Sequence, residues 1–283
     1  LEHHAQLQAR ISSLGELRDL VRMMRGLAAT RLQQAQDALV GIQRYVEIID
    51  RTIARAAVLL ELDRHLEDPG MAPVGGDALI VVASEHGFVG GFNDRLVERV
   101  EKLAAPGRTL GVIGRRARTL MEERGVAVDW SLPMATHVDG VISVTRRVAD
   151  YLVDVTGADI LFGRYAGSGS YEIEQRRILP LDPALLRGAD EGPLPLHQLP
   201  PTVLIEYLAR EYLFAEISRA VTESMATENA IRLRVMESAG EGIDTKVEAL
   251  TRQEQNLRQE EITTELLDVV TGANAVLGDG WLG

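Results

Sequence analysis

The chain has 283 residues, 46% of them hydrophobic and only 4% aromatic, with a net charge of −12. That charge argues against a nucleic-acid partner, which needs clustered Lys and Arg to meet phosphate, and the lack of cysteine removes disulfides, thiolate catalysis and thiolate metal sites. With no secretory leader read at its start and no apolar run of about 18 residues, the sequence predicts a cytosolic protein that does not insert into lipid.

The first element is one long helix. From Leu14 the apolar positions run Leu14, Leu17, Val21, Met24, Ala28, Leu32, Ala35, Leu39, Ile42, Val46, Ile49, Ile53, Ala56 and Leu60, in steps of three and four with one slip near Ala28. Such steps are a coiled-coil seam, and a slip shifts the seam without ending the helix. The segment Glu67–Gly76, rich in Pro, Gly and acids, predicts a linker.

The period then changes. Ala78–Ala83 is a short apolar run rich in β-branched residues, the pattern of a strand buried on both faces. A helix is predicted from Asn93 to about Leu103, a strand at Thr109–Ile113, a helix at Arg116–Arg124, a short strand at Val126–Val128, a helix at Val141–Thr156 and a strand at Ala158–Gly163. Strands alternating with helices imply a mostly parallel, doubly wound sheet. Gly167–Ser170 is turn chemistry, Tyr171–Leu179 reads as an edge strand, and the Pro-rich stretch from Pro180 to Pro200 is a return path.

The last element, from about Pro201 to Leu277, reads as a second long helix, on the order of 110 Å if straight. Its seam is clearest at Met236, Ala239, Ile243, Val247, Leu250 and Leu257, and resumes at Ile262, Leu266, Val269, Ala273 and Val276. A lone helix with such a stripe is not stable in water, so the two seams most simply pair antiparallel; a dimer or a bundle would also bury them. The expected fold is therefore α/β, a long antiparallel coiled coil of N- and C-terminal helices (1–66 and 201–278) with an inserted Rossmann-like domain (76–190).

Candidate chemistry is sparse. Ser84–Asn93 is a Gly-rich loop between strand and helix, where a doubly wound fold holds phosphate. Its glycines, Gly87, Gly90 and Gly91, do not follow the dinucleotide spacing, and Phe92 stands where a P-loop needs lysine. The expectation is no cofactor, with the three glycines relieving a tight turn. Ser84, Glu85 and His86 are adjacent but lack a nucleophile elbow. His65, His137 and His197 lack metal-ligand spacing, and Glu122-Glu123 and Glu260-Glu261 read as solvated faces.

Four motifs carry a family resemblance. Arg10–Ser13 followed by Met24–Leu32 resembles the N-terminal helix of the gamma subunit of F-type ATP synthases. Gly90-Gly91-Phe92-Asn93 is similar to that family's Gly-Gly-Leu-Asn loop, and Glu228–Arg232 and Asn256–Leu266 are similar to its two C-terminal motifs. Departures at Gly15-Glu16-Leu17-Arg18 and at Gly26 point to a divergent branch, such as the alternative ion-translocating F-type ATPases. The resemblance implies a non-catalytic rotor shaft, turning inside a hexamer of alpha and beta subunits, bound to an epsilon subunit and seated on a membrane c-ring. It implies a peripheral place on the cytoplasmic face of a bacterial plasma membrane. It also implies contacts with the catalytic ring through Arg258, Gln259 and Thr263, and through Arg232, Met24 and Arg25. A coiled-coil scaffold, with continuous charge pairs beside its seams, and a nucleotide-dependent enzyme with helical arms, which would bind nucleotide tightly, are the competing readings.

Overall fold

A computed structural model describes residues 2–63, 76–103, 105–152, 155–167, 170–187 and 196–278. The elements run α1 (Glu2–Asp63), β1 (Gly76–Val82), α2 (Phe92–Leu103), β2 (Arg108–Ile113), α3 (Arg115–Glu123), β3 (Trp130–Leu132), a 3-10 turn at Val138–Gly140, α4 (Val141–Tyr151), β4 (Val155–Gly167), β5 (Ser170–Leu179), α5 (Pro183–Arg187) and α6 (Pro201–Gly278). The linker expected at 67–75, Ser168 and Gly169 of the expected turn, and 188–195 of the return path lie outside the described residues.

The chain divides into two compact units, Leu1–Gly26 with Met236–Gly283, and Leu27–Val235. In the first, the ends of α1 and α6 pair antiparallel. Gln8 Nε2 donates to Glu254 Oε1 at 2.9 Å, Arg18 and Asp244 approach to 3.8 Å, and Val21 packs toward Gly240. The partner's number falls as the first rises, which is the antiparallel register. Leu7, Val21, Met236 and Ile243 are buried in this seam.

Two seam expectations fail here. Leu17 is exposed, and so are Ile262, Leu266 and Val269. The register explains the second group: His4 and Gln8 already lie opposite Glu254, so α6 beyond Ile262 has run past the described start of α1. The side chains of Leu60, Ala273 and Val276 lie outside the described ones.

The second unit is built on a five-stranded sheet of order β3-β2-β1-β4-β5. β1 pairs in parallel with β2 and β4, β2 with β3, and β5 closes the edge antiparallel to β4. Because side chains alternate along a strand, β1 feeds two cores. Leu79, Val81 and Ala83 pack with Phe92, Leu96, Val97 and Val100 of α2 and with Ala117 and Met121 of α3. Ala78, Ile80 and Val82 pack with α4, with Ala35 and Leu39 of α1, and with Ile217, Ala220, Val221, Met225 and Ala226 of α6. One face of the sheet is thus covered by α4 together with helices from outside 76–190.

Two local readings are corrected. Residues 126–128 form no strand: Gly125 turns the chain at φ +74° and Val126 N–H closes back on Met121 O at 2.9 Å. The strand starts later, at Trp130, after Leu110 N–H meets Asp129 Oδ2 at 2.6 Å. Helix α4 stops at Tyr151 rather than Thr156, because Val155 is already paired with Gly76 and β-branched side chains favour the pleated surface.

Candidate functional site: the strand ends and the C-terminal helix

A doubly wound sheet binds its ligands in the crevice beyond the carboxyl ends of its strands. In this chain that crevice is filled by α6. From Ala215 to Arg232 every α6 residue except Arg219 is buried, and one stripe of the helix is polar. The Glu223 carboxyl lies near the N–H of Tyr165 in β4. Ser224 Oγ donates to Val82 O, the last carbonyl of β1, at 2.8 Å, and Thr227 Oγ1 donates to Gly163 O of β4 at 2.9 Å. Glu228 pairs with Arg232 at 2.6 Å, its carboxyl near the N–H of Glu85. Arg232 also donates to Gly87 O at 3.2 Å. Residues 223, 224, 227, 228 and 232 share one face of a helix, and that face meets the strand ends.

The approach is close enough to dictate a glycine. A Cβ at Gly163 would come within 2.6 Å of the Phe92 ring and 2.8 Å of the Thr227 methyl. Burial pushes the Glu228 and Glu223 carboxyls above their ordinary values, with Arg232 opposing it at Glu228 and the Tyr165 N–H opposing it at Glu223. Burial would do the same to Glu85. There the N–H groups of Met134 and Arg115 and the Arg115 guanidinium prevail and hold the carboxyl below its ordinary value. Glu85 thereby ties the β1 loop to the start of α3 and to the segment after β3, a carboxylate lying where helix N–H groups would otherwise face an anion.

The base of the Gly-rich loop is bridged by its own side chains. Ser84 N–H donates to Asn93 Oδ1 at 3.2 Å, and Asn93 Nδ2 donates back to Ser84 Oγ at 2.7 Å. Ser84 Oγ donates to His86 O while Glu85 faces Arg115, so Ser84, Glu85 and His86 form no catalytic relay. Of the three turn glycines, only Gly90 has a positive φ, +52°; the other left-handed residue is Phe88, at φ +61°. Gly87 and Gly91 have open space where a Cβ would stand. Phe88 itself is exposed.

The expected ring-contact residues are distributed over both units. Arg258, Gln259 and Thr263 lie on an exposed stretch of α6 in the first unit, with Thr263 Oγ1 donating to Gln259 O at 2.8 Å. In the same unit Met24 is half-buried, and Arg25 is exposed and lines a groove with Arg18, Arg22, Glu237 and Asp244. Arg232 departs from expectation. It is 6% exposed, and its guanidinium is committed to Glu228, Asn229 and Gly87 within the chain. Sequence reasoning missed Glu85, Ser224 and Thr227; the available signal was a run of polar residues, Thr222–Ser224 and Thr227–Asn229, in a helix that had to be buried somewhere.

These features define a class: a protein built around two long helices, whose inserted α/β domain gives its ligand crevice to one of them. The comparisons make the class specific. The ATP synthase family matches residues 3–276. The ATP synthase gamma chain of Mycobacterium leprae is 30% identical over 96% of this chain and 97% of its own length. That of Frankia casuarinae is 28% identical over the same shares. Among solved structures, the rotor of the Euglena gracilis mitochondrial ATP synthase has the same fold, with a TM-score of 0.62 at 16% identity over 92% of this chain and 99% of that one. The chain belongs to the ATP synthase family, and so is a component of an enzyme complex. Among the described residues no helix is long and apolar enough to cross a membrane.

Proposed function

We propose that the chain is the central rotor shaft of a rotary F-type ATP synthase or ATPase. It couples ion flow through a membrane c-ring to ATP synthesis or hydrolysis in a hexamer of alpha and beta subunits, and catalyses nothing itself. The observation that carries this reading is the use made of the strand-end crevice: the most elaborate polar site of the second unit is spent on gripping α6, and α6 is the helix that continues to Gly278. A site built to hold a helix suits a part that must move with that helix. The filled crevice also counts against the reading as a nucleotide-dependent enzyme.

The relatives' name, gamma chain, supports the role and the partners, and their bacterial sources support a place on the cytoplasmic face of a bacterial plasma membrane. An epsilon subunit completes the expected stalk. In functional parts, 1–66 and 201–278 are the shaft and 76–190 the inserted domain. Arg258, Gln259 and Thr263, with Met24 and Arg25, face the catalytic ring. Gly90, at its positive φ, shapes the loop whose Gly87 carbonyl is held by Arg232 of α6, and no cofactor is required. The test is reconstitution with a catalytic hexamer lacking its own shaft. ATP hydrolysis that rises when this chain is added is the expected outcome; hydrolysis indifferent to it would overturn the proposal.

A further inference from the structure

If the chain is a rotor, force must cross from the sheet to α6 without the helix rolling in its seat. Apolar packing alone sets the angle less specifically, because the hydrophobic effect is non-directional and half of the buried apolar α6 side chains from 215 to 232 are alanines, Ala215, Ala220, Ala226 and Ala230, beside Ile217, Val221, Met225 and Ile231. Hydrogen bonds are directional. Of the fourteen buried polar or charged side chains among the described residues, nine lie on α6 between Glu216 and Arg232. Burying so many polar groups is costly unless each is bonded, so their concentration on one segment calls for a reason beyond stability.

The geometry points to Ser224 and Thr227 as positioning residues that key α6 against the sheet, so that torque passes through directional bonds to strand-end carbonyls. The two hydroxyls stand three residues apart, on one helix face, and reach two neighbouring parallel strands, Ser224 to Val82 O of β1 and Thr227 to Gly163 O of β4. A roll of one residue position, about 100°, takes both hydroxyls off both carbonyls together. The Glu223 and Glu228 carboxyls flank them, near the Tyr165 and Glu85 N–H groups. Gly163 lets Thr227 approach, since any side chain there would stand in its place. The key thus has a tooth on α6 and a slot in β4, and both are set by residue type.

This inference rests on the rotor reading, and the experiment separates the two. The complete complex, with catalytic hexamer, this chain and membrane sector, is reconstituted in lipid vesicles. Hydrolysis is measured with an ionophore present, so without load, and ions moved per ATP are measured against a gradient. The variants are Ser224→Ala with Thr227→Val, close to the native shapes but without hydroxyls, and Thr227→Ser, which keeps the hydroxyl. Unloaded hydrolysis at the wild-type rate with a loss of roughly three- to tenfold in ions moved per ATP under load is expected for the double variant, and wild-type coupling for Thr227→Ser. An unchanged ion-to-ATP ratio in the double variant overturns the key. Should the double variant fail to assemble, Ser224→Ala and Thr227→Val are read singly, and unchanged ratios in both overturn it equally. A wild-type chain that supports no chain-dependent hydrolysis overturns the rotor reading instead.

Discussion

Gly163 and Thr227 occupy one space: the threonine donates to the glycine's carbonyl at 2.9 Å, and its methyl lies 2.8 Å from where a Cβ on residue 163 would stand. Gly163→Ala therefore forces a methyl between the Thr227 methyl and the Phe92 ring. Overpacking of this kind costs about 1–3 kcal/mol. A lowered denaturation midpoint in the full chain checks it; a midpoint equal to wild type would show that α6 can lift off the strand end at no cost.

The layout was legible from the sequence because its periods are strong. Steps of three and four from Val21 to Ala56 and the apolar run Ala78–Ala83 fall where the buried seam of α1 and the strand β1 are found. The clamp was not legible, and the reason is physical. Glu223, Ser224, Thr227, Glu228 and Arg232 form a polar stripe at helical spacing, which in one dimension is indistinguishable from a solvated face. Only the sheet supplies the carbonyls and N–H groups that make such a stripe buriable. Arg232 was misplaced for the same cause, since a charged residue on a long helix reads as surface until Glu228 and Gly87 are seen beside it. The strand at 130–132 was displaced because Val126 and Val128 look more strand-like than Trp130-Ser131-Leu132, while the register is set by Asp129 capping Leu110 N–H.

Arg232→Met should be among the most damaging single changes outside the apolar core. It leaves the Glu228 carboxylate buried without its cation, a loss of about 3–5 kcal/mol for a pair of this burial. Protonation relieves an unpaired carboxyl, so the deficit should be larger at pH 8 than at pH 5. Denaturant titrations at both values decide this. A deficit equal at the two would mean that Glu228 is not the group left exposed to the loss.

The raised carboxyls contribute a pH dependence whose sign follows from their burial. Burial raises Glu216, Glu223, Glu228 and Asp50 in the folded state. Glu216 lies 3.0 Å from Arg176, with Asp50 and Glu174 adding negative charge nearby. A group whose folded pKa exceeds its unfolded one contributes stability that is complete below the unfolded value and lost as pH rises through the folded one. Glu85, lowered by its hydrogen bonds, acts oppositely: its contribution is present above the ordinary carboxylate range and lost as pH falls through its folded value. Among the described residues, the contribution of these four carboxyls to stability should grow as pH falls from neutral toward the carboxylate range, with Glu85 opposing them. Glu216→Gln, which fixes that site neutral, should remove its share of that slope; thermal melts of both chains across the range measure it, and a difference of the other sign would refute the assignment.

A fragment of residues 76–190 is expected to fail as a soluble domain. It would retain the α2 and α3 face of the sheet, but lose Ala35 and Leu39 of α1 and Ile217, Ala220, Val221, Met225 and Ala226 of α6 from the other. It would also lose every bond that α6 makes to the strand ends. Aggregation, or binding of a hydrophobic dye, is the expected behaviour on expression, whereas a sharply melting monomer would show that the clamp is dispensable to the sheet.

The ring contacts are tested where the chain itself has least need of the residues. Arg258 and Gln259 are exposed on α6, and no hydrogen bond or ion pair of either side chain helps to hold the fold among the described residues. Thr263 has its hydroxyl proton committed to Gln259 O, leaving that oxygen only to accept. Arg258 and Gln259 are therefore the donors this stretch can offer: a guanidinium able to pair bidentately with a carboxylate, and an amide that donates and accepts. The double change Arg258→Ala with Gln259→Ala should leave the melting curve of the free chain unchanged, because surface substitutions away from packed features stay within about 0.5 kcal/mol. In the assembled complex it should lower coupled ATP turnover several-fold while leaving Thr263→Ser near wild type. Normal turnover in the double variant would remove the contact. Unfolding of the free chain would show that these side chains serve the helix rather than a partner.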